Sequence, residues 1–186
     1  MKILVTGCAG FIGFHLCNHF KNNKKIRIVG IDNINDYYSQ KLKNLRLKIL
    51  NKNKNFRFYK VDLSNFNNLN KIFKAQKFDL IINLAAQAGV RHSIKKPRDY
   101  FNSNSIGFFN ILELSRINNI KKIIYASSSS VYGEQKKFPI KENSKLNPKN
   151  IYSQTKKNNE EIAEIYSRIY NINLLGLRFF TVYGEW

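Results

Sequence analysis

The window Gly7-Cys8-Ala9-Gly10-Phe11-Ile12-Gly13 constrains this chain more than any other. The short apolar run Ile3-Leu4-Val5 leads into it, and a helical pattern continues it from Phe11. Three of the nine glycines fall within these seven positions. At a strand-to-helix turn the three have separate tasks. One makes the tight turn, one lets backbone N–H groups approach a pyrophosphate, and one lets the helix pack closely on the strand. The helix N-terminus adds partial positive charge facing the phosphates. A glycine triplet alone is a weak signal; the strand before it and the helix after it give it meaning.

The rest of the chain repeats that alternation. Apolar β-branched runs predict strands at 3–6, 27–31, 56–61, 80–84, 122–126 and 173–177, with helices at 11–22, 41–50, 69–75, 100–118 and 151–170. Alternation of this kind means a parallel sheet covered on both faces, and right-handed crossovers make it doubly wound, of the Rossmann type. The second strand ends at Asp32, nineteen residues after Gly13, with Asn33 beside it. An acid there accepts the adenosine-ribose hydroxyls and repels a 2′-phosphate, so NAD is expected rather than NADP. Asp62 and Leu63 end the third strand, at the expected adenine edge. Leu84, Ala85 and Ala86 end the fourth, where small side chains let a dinucleotide lie close. The segment 51–55 is a Lys/Asn loop, and 133–150 reads as an exposed polar excursion.

Composition sets outer limits. With 186 residues, 43% hydrophobic and 13% aromatic, the chain builds a core and is not a disordered polymer. No apolar run reaches the ~18–20 residues of a membrane helix, and the start shows no signal-peptide pattern, so a cytoplasmic protein is expected. Two cysteines are too few for a disulfide framework or a four-thiolate metal site, and no metal is expected. The net charge of +20 is unusual. A basic chain suits an acidic partner such as nucleic acid. Here the lysines are scattered among residues with AT-rich codons, which argues for background composition. Aromatic residues are not interleaved with the lysines as a single-strand binder requires. A non-catalytic module with a nucleic-acid-binding surface therefore stands as the lesser alternative.

Chemistry enters with Tyr152-Ser153-Gln154-Thr155-Lys156. Ten tyrosines and 24 lysines give about one Y-x-x-x-K match by chance, and the pairing means something only on a helix. Tyr37 with Lys41 lies in the loop after the second strand, on the adenosine side. Tyr132 with Lys136 runs through Gly133 into an irregular loop. Only Tyr152 opens a long helix, whose buried stripe is expected to be Ile162, Ile165, Tyr166 and Ile169. Its hydroxyl and the Lys156 ammonium then share a face, and the ammonium is expected to lower the phenol pKa. Such a pair takes a proton from a substrate hydroxyl while NAD takes hydride. The fifth strand ends in Ser127-Ser128-Ser129-Ser130-Val131-Tyr132-Gly133, hydroxyls placed to hold the reacting oxygen.

Taken together these segments resemble the extended short-chain dehydrogenase/reductase superfamily, in its NAD-dependent nucleotide-sugar epimerase/dehydratase branch. The resemblance covers essentially the whole chain: the Gly7/Gly10/Gly13 loop with Phe11 and Ile12, Asp32, Asp62–Leu63, Leu84–Ala86, SSSSVYG, YSQTK and RFFTVYG. It implies a catalytic trio of Ser128, Tyr152 and Lys156. It implies cofactor contacts from Ser103, Tyr152, Lys156 and Phe179 besides the strand-end residues. It implies sugar contacts from Arg91, Ser128, Ser129, Ser130, Tyr152, Phe180 and Thr181. Related 4,6-dehydratases carry an Asp–Glu pair directly after the catalytic Ser/Thr; here Ser129 and Ser130 stand there, so 4-epimerisation is expected. The wording AAQAGVRHS and IDNINDYYSQKLKNLRL looks most like UDP-glucuronate 4-epimerases, with UDP-glucose/galactose 4-epimerases as the alternative. A homodimer through the helices at 100–118 and 151–170 is implied as well. Family members usually exceed 300 residues and carry a C-terminal sugar-binding domain. Residues 1–186 are expected to be the NAD-binding domain without it.

Overall fold

The computed structural model describes residues 1–186. Six parallel strands form one sheet: β1 (Lys2–Thr6), β2 (Arg27–Asp32), β3 (Phe56–Lys60), β4 (Leu80–Asn83), β5 (Lys122–Ser128) and β6 (Asn173–Phe179). Their spatial order is β3-β2-β1-β4-β5-β6. Every crossover carries helix: α1 (Phe11–His19), α2 (Gln40–Leu50), α3 (Phe66–Ala75), α4 (Val90–Lys95), α5 (Pro97–Tyr100), α6 (Gly107–Ile117) and α7 (Ile151–Tyr170). This is the doubly wound order, with its reversal between β1 and β4.

Side chains alternate between the two faces of a strand, and two cores result. Leu4, Val29, Ile31, Ile81 and Ile123 point into the larger one, against α3, α6 and α7. Ile3, Val5, Ile28 and Ile82 point the other way, against α1 and α2. Burial on both sides explains why β1 and β4 read as continuous apolar runs.

Three features depart from the sequence reading. First, α4 (Val90–Lys95) was not anticipated: it is one and a half turns long, too short to show a periodicity. Second, the helix expected over 100–118 is interrupted. Residues Phe101–Ile106 form a π-helical segment between α5 and α6. Third, of the stripe expected to be buried on α7, Tyr166 is buried and Ile162 half-buried, but Ile165 and Ile169 are not. Ile165 and Ile169 are 45% and 61% exposed, whereas Ser153, Thr155, Lys156 and Asn159 are buried with Ala163 and Tyr166. The helix turns a polar face inward because buried polar partners await it. Asn104 donates to Thr155 Oγ1 at 3.1 Å, and Asn159 donates to the Asn104 carbonyl at 3.0 Å.

Ile111 on α6 is fully buried in the larger core. Ile111→Ala leaves a cavity there and is expected to lower unfolding free energy by about 3 kcal/mol, measured by urea denaturation.

Candidate active site

The site begins where β1 and β4 lie side by side and their connections leave in opposite directions. Thr6 Oγ1 donates to Asn83 Oδ1 at 2.6 Å and accepts from the Ala85 N–H at 3.1 Å, so the two strand ends are tied together. The glycine turn then passes through a gap that admits no side chains. A Cβ on Gly7, whose φ is +69°, would stand 2.8 Å from the Ala85 nitrogen; one on Gly13 would stand 2.1 Å from the Gly7 carbonyl oxygen. That contact draws the start of α1 onto the strand and turns its first N–H groups toward the crevice.

Two cavities open on this turn and share Gly7, Gly10, Tyr37, Tyr38, Leu84 and Ala86 as walls. The first holds Asp32, Asn33, Asp62, Leu63, Ala85 and Ser103, all anticipated, together with Asn35, Lys43 and Gln87, which were not. Asp32 accepts from the Ala9 N–H at 3.1 Å and the Ile34 N–H at 2.9 Å, which fixes the carboxylate and leaves lone pairs free. Asn33 Nδ2 donates to Asp62 at 2.7 Å. Burial pushes the Asp62 carboxyl up, but hydrogen bonds from Asn33 and Ser64 outweigh it and hold it below its ordinary value.

The second cavity runs from Phe11, Ile12 and Gly13 to Ser127, Ser128, Tyr152, Lys156, Phe179 and Phe180. A capping box sets the start of α7. Asn150 Oδ1 accepts from the Ser153 N–H at 2.9 Å while Ser153 Oγ accepts from the Asn150 N–H at 3.2 Å, which places Tyr152 in the first turn. Lys156, one turn on, is only 3% exposed and donates to the Ala126 carbonyl at 2.8 Å. Burial lowers its pKa to about 8. Tyr152 differs from expectation. Burial pushes its pKa up, a hydrogen bond with Ser128 draws it part of the way back, and Tyr37 adds to the rise. The Lys156 ammonium is turned to Ala126, so the expected depression is absent. Ser128 itself accepts from the Ser130 N–H at 3.2 Å and the Ser130 hydroxyl at 2.9 Å.

Behind the site, Glu160 joins three elements. Arg178 on β6 donates to it through Nε at 2.9 Å and Nη2 at 2.8 Å, and Ser127 at the end of β5 donates to the same carboxylate. Arg178 also reaches the Tyr132 hydroxyl at 2.9 Å. The strand ends that carry Ser128 and Phe179 are thereby locked to α7.

Not every anticipated residue comes together here. Arg91 on α4 is exposed and lines neither cavity, and neither do Ser129, Ser130 and Thr181. Tyr37, expected on the adenosine side, lines the cavity that holds Asp32 and, beyond that expectation, the second cavity as well. Lys43, one of the scattered lysines, and Arg46, which the sequence reading did not single out, are 4% and 2% exposed. Their three-residue spacing on α2 beside Leu47 and Leu50 was the available signal: all four share the buried face.

This geometry has close counterparts. The family model described as GDP-mannose 4,6 dehydratase matches residues 4–186. The chain belongs to that family of NAD-dependent epimerases and dehydratases. Among curated relatives, Protein CapI of Staphylococcus aureus is 51% identical over 187 residues, covering 100% of this chain and 55% of that one. UDP-glucuronate 4-epimerase 4 of Arabidopsis thaliana is 44% identical over 188 residues, covering 100% of this chain and 43% of that one. The Bacillus cereus UDP-glucuronic acid 4-epimerase, crystallised with UDP-glucuronic acid and NAD, superposes with a TM-score of 0.92 at 36% identity, covering 99% of this chain and 58% of that one. The Campylobacter jejuni UDP-Glc/GlcNAc 4-epimerase superposes with a TM-score of 0.88 at 30% identity, covering 96% and 53%. The chain thus spans about half the length of the curated relatives it matches. No helix is long and apolar enough to cross a membrane.

A family member of this kind keeps a buried cation at a cost, and the cost is measurable. The folded chain lowers the Lys156 pKa, so between about pH 8 and 10.5 the unfolded chain binds more protons and stability rises with pH. Lys156→Met is expected to stabilise the unliganded chain at pH 7 by up to about 3 kcal/mol. That advantage disappears as pH climbs through the same window. Parallel urea titrations from pH 7 to 10.5 check the sign.

Proposed function

We propose that this chain carries the cofactor and catalytic groups of an NAD-dependent UDP-sugar 4-epimerase. The observation that carries the reading is that Ser128, Tyr152 and Lys156 line the same cavity as the glycine turn, while Ser129 and Ser130 follow Ser128 where a dehydratase needs carboxylates.

The residues fit the dinucleotide. The Gly7–Gly13 turn packs backbone against backbone where a Cβ would collide, and the helix N-terminus that follows it suits a pyrophosphate. Asp32 and Asn33 suit the adenosine ribose, and Asp62, Leu63 and Ser103 line the cavity beyond it. Leu84, Ala85 and Ala86 provide the flat wall along it, and Phe179 closes the inner end. NAD, when bound, supplies the hydride acceptor. Tyr152 takes the proton from the sugar 4-hydroxyl, with Ser128 holding that oxygen. Lys156, whose ammonium donates to the Ala126 carbonyl in the unliganded chain, is the residue that would hold the nicotinamide ribose, and it would favour the phenolate only on turning from that carbonyl. Arg91, Phe180, Thr181, Ser129 and Ser130 remain the candidates for the sugar.

UDP-glucuronate, giving UDP-galacturonate, is the favoured substrate; the Bacillus and Arabidopsis enzymes named above support it. A UDP-hexose is the second reading, which the Campylobacter enzyme favours. A cytoplasmic setting goes with buried free thiols at Cys8 and Cys17. A homodimer fits the apolar side chains left exposed on adjoining helices: Phe109 and Ile117 on α6, Ile165 and Ile169 on α7.

Three measurements test this. Calorimetry is expected to give NAD binding, with NADP at least about tenfold weaker. Tyr152→Phe then leaves NAD affinity within about threefold and removes epimerisation of UDP-glucuronate; turnover retained by the variant overturns the assignment, and turnover of UDP-glucose alone favours the second reading. Sedimentation is expected to give a dimer that Ile169→Glu converts to monomer; a monomeric parent chain overturns the dimer.

A further inference from the structure

The groove that joins the two cavities is not open along its length. After β2 the chain does not enter α2 directly. Residues 33–39 cross from the β2 side of the groove to the β4 side. On the near side α2 holds them: Lys43 Nζ donates to the Asn35 carbonyl at 2.8 Å and to Asn35 Oδ1 at 2.6 Å. Midway, the Tyr38 hydroxyl lies 3.4 Å from the Ala9 carbonyl in the glycine turn and accepts from Arg46 at 3.0 Å. On the far side Asn35 Nδ2 donates to Gln87 Oε1 at 3.3 Å, and the Tyr37 ring meets His92 edge-on at 5.0 Å.

The backbone is unusual at both ends of the crossing. The near end carries Ile34 at φ +53°, a left-handed conformation that a β-branched residue rarely adopts. On the far side Gly89 has φ +93°, and a Cβ there would stand 2.3 Å from the Tyr37 hydroxyl oxygen. The far anchor is itself fixed, because the Tyr100 hydroxyl lies 2.6 Å from the carbonyls of Ala88 and Gly89. Gln87 Nε2 is buried and has no partner, so the far contact is incomplete as it stands.

Tyr37 and Tyr38 wall both cavities. A ligand long enough to reach from Asp32 to Ser128 must run past both. We propose that residues 33–39 are a strap that closes over bound NAD, with Tyr37 seated against Gly89 and His92 as its latch. The proposal rests on the NAD-binding reading above. It deepens that reading in one respect. An epimerisation needs the same cofactor molecule at both hydride transfers, so a closed strap suits an epimerase, whereas a dehydrogenase must exchange its cofactor each turnover.

The kinetic signature of a strap differs from that of a direct contact. Losing a direct contact speeds dissociation alone. Loosening a strap speeds entry and exit together, so the dissociation constant moves less than the dissociation rate. The test uses NADH as the probe: stopped-flow fluorescence for association, and displacement by excess NAD for dissociation. Tyr37→Ala is expected to raise the dissociation rate at least about tenfold and the association rate about threefold or more, with His92→Ala intermediate. A second variant guards against a folding defect. With Tyr37→Cys and His92→Cys together, oxidation is expected to slow NADH release at least about a hundredfold, and reduction to restore it. Rates equal to those of the parent chain, or faster dissociation with unchanged association, overturn the strap. A parent chain that binds no NADH overturns the NAD-binding reading and the strap with it; binding with unaltered kinetics overturns the strap alone.

Discussion

The carbonyl oxygen of Gly7 stands where a side chain on Gly13 would begin. That single contact sets the rest of the molecule in place. It forces α1 onto β1, brings the turn against the Ala85 backbone at the end of β4, and leaves the α1 N-terminus facing the crevice. The buried Thr6–Asn83 hydrogen bond holds the same two strands from inside. Any outward shift of the turn would separate the two halves of the sheet at their topological reversal, where a ligand must lie.

The second half of the site depends on a different economy. Burying Lys156 lowers its pKa to about 8 and costs stability in the unliganded chain. The helix that carries it is held by polar contacts rather than by an aliphatic stripe. Asn104 reaches Thr155, and Asn159 reaches the carbonyl of Asn104, which belongs to the π-helical segment before α6. π-Helical turns concentrate at functional sites because they redirect backbone groups that a regular helix would consume. Together with the Glu160–Arg178 pair, these bonds fix the depth and rotation of α7, and therefore where Tyr152 and Lys156 point. Stability is given up locally, at the residue whose charge the proposed chemistry would use.

What could be read in advance follows from this division. The inner strands β1, β2, β4 and β5 were legible because each is an apolar run rich in β-branched residues and mostly buried. The edge strands β3 and β6 are half exposed and were placed by the strand–helix alternation. The glycine turn was legible because its spacing is enforced by close backbone contact. Asp32 was legible because a strand end has one address. The inward face of α7 was misread because isoleucines were assumed to be buried, while the buried polar partners lie about 50 residues away in sequence and leave no local trace. Tyr37 was expected on the adenosine side and lines the cavity that holds Asp32; its further contact with His92 left no local trace because α4 is too short to announce itself. The direction of the Tyr152 shift was misread because a lysine at i+4 was taken as a neighbour, whereas the Ala126 carbonyl claims its ammonium.

Charge poses the remaining question, because Lys43 lines the same cavity as Asp32 and would soften its repulsion of a 2′-phosphate. Two arguments leave Asp32 in control. Its carboxylate is fixed by two backbone N–H groups at the end of a buried strand, with no rotamer that would remove it from the ribose position. The Lys43 ammonium is turned toward Asn35, which takes two of its three hydrogens; burial lowers its pKa against the opposing pull of Asp32 and Asp36. A cation spent on holding a loop is a poor phosphate ligand. The excess of 32 basic over 12 acidic residues therefore does not reach the one place where it would change which cofactor fits.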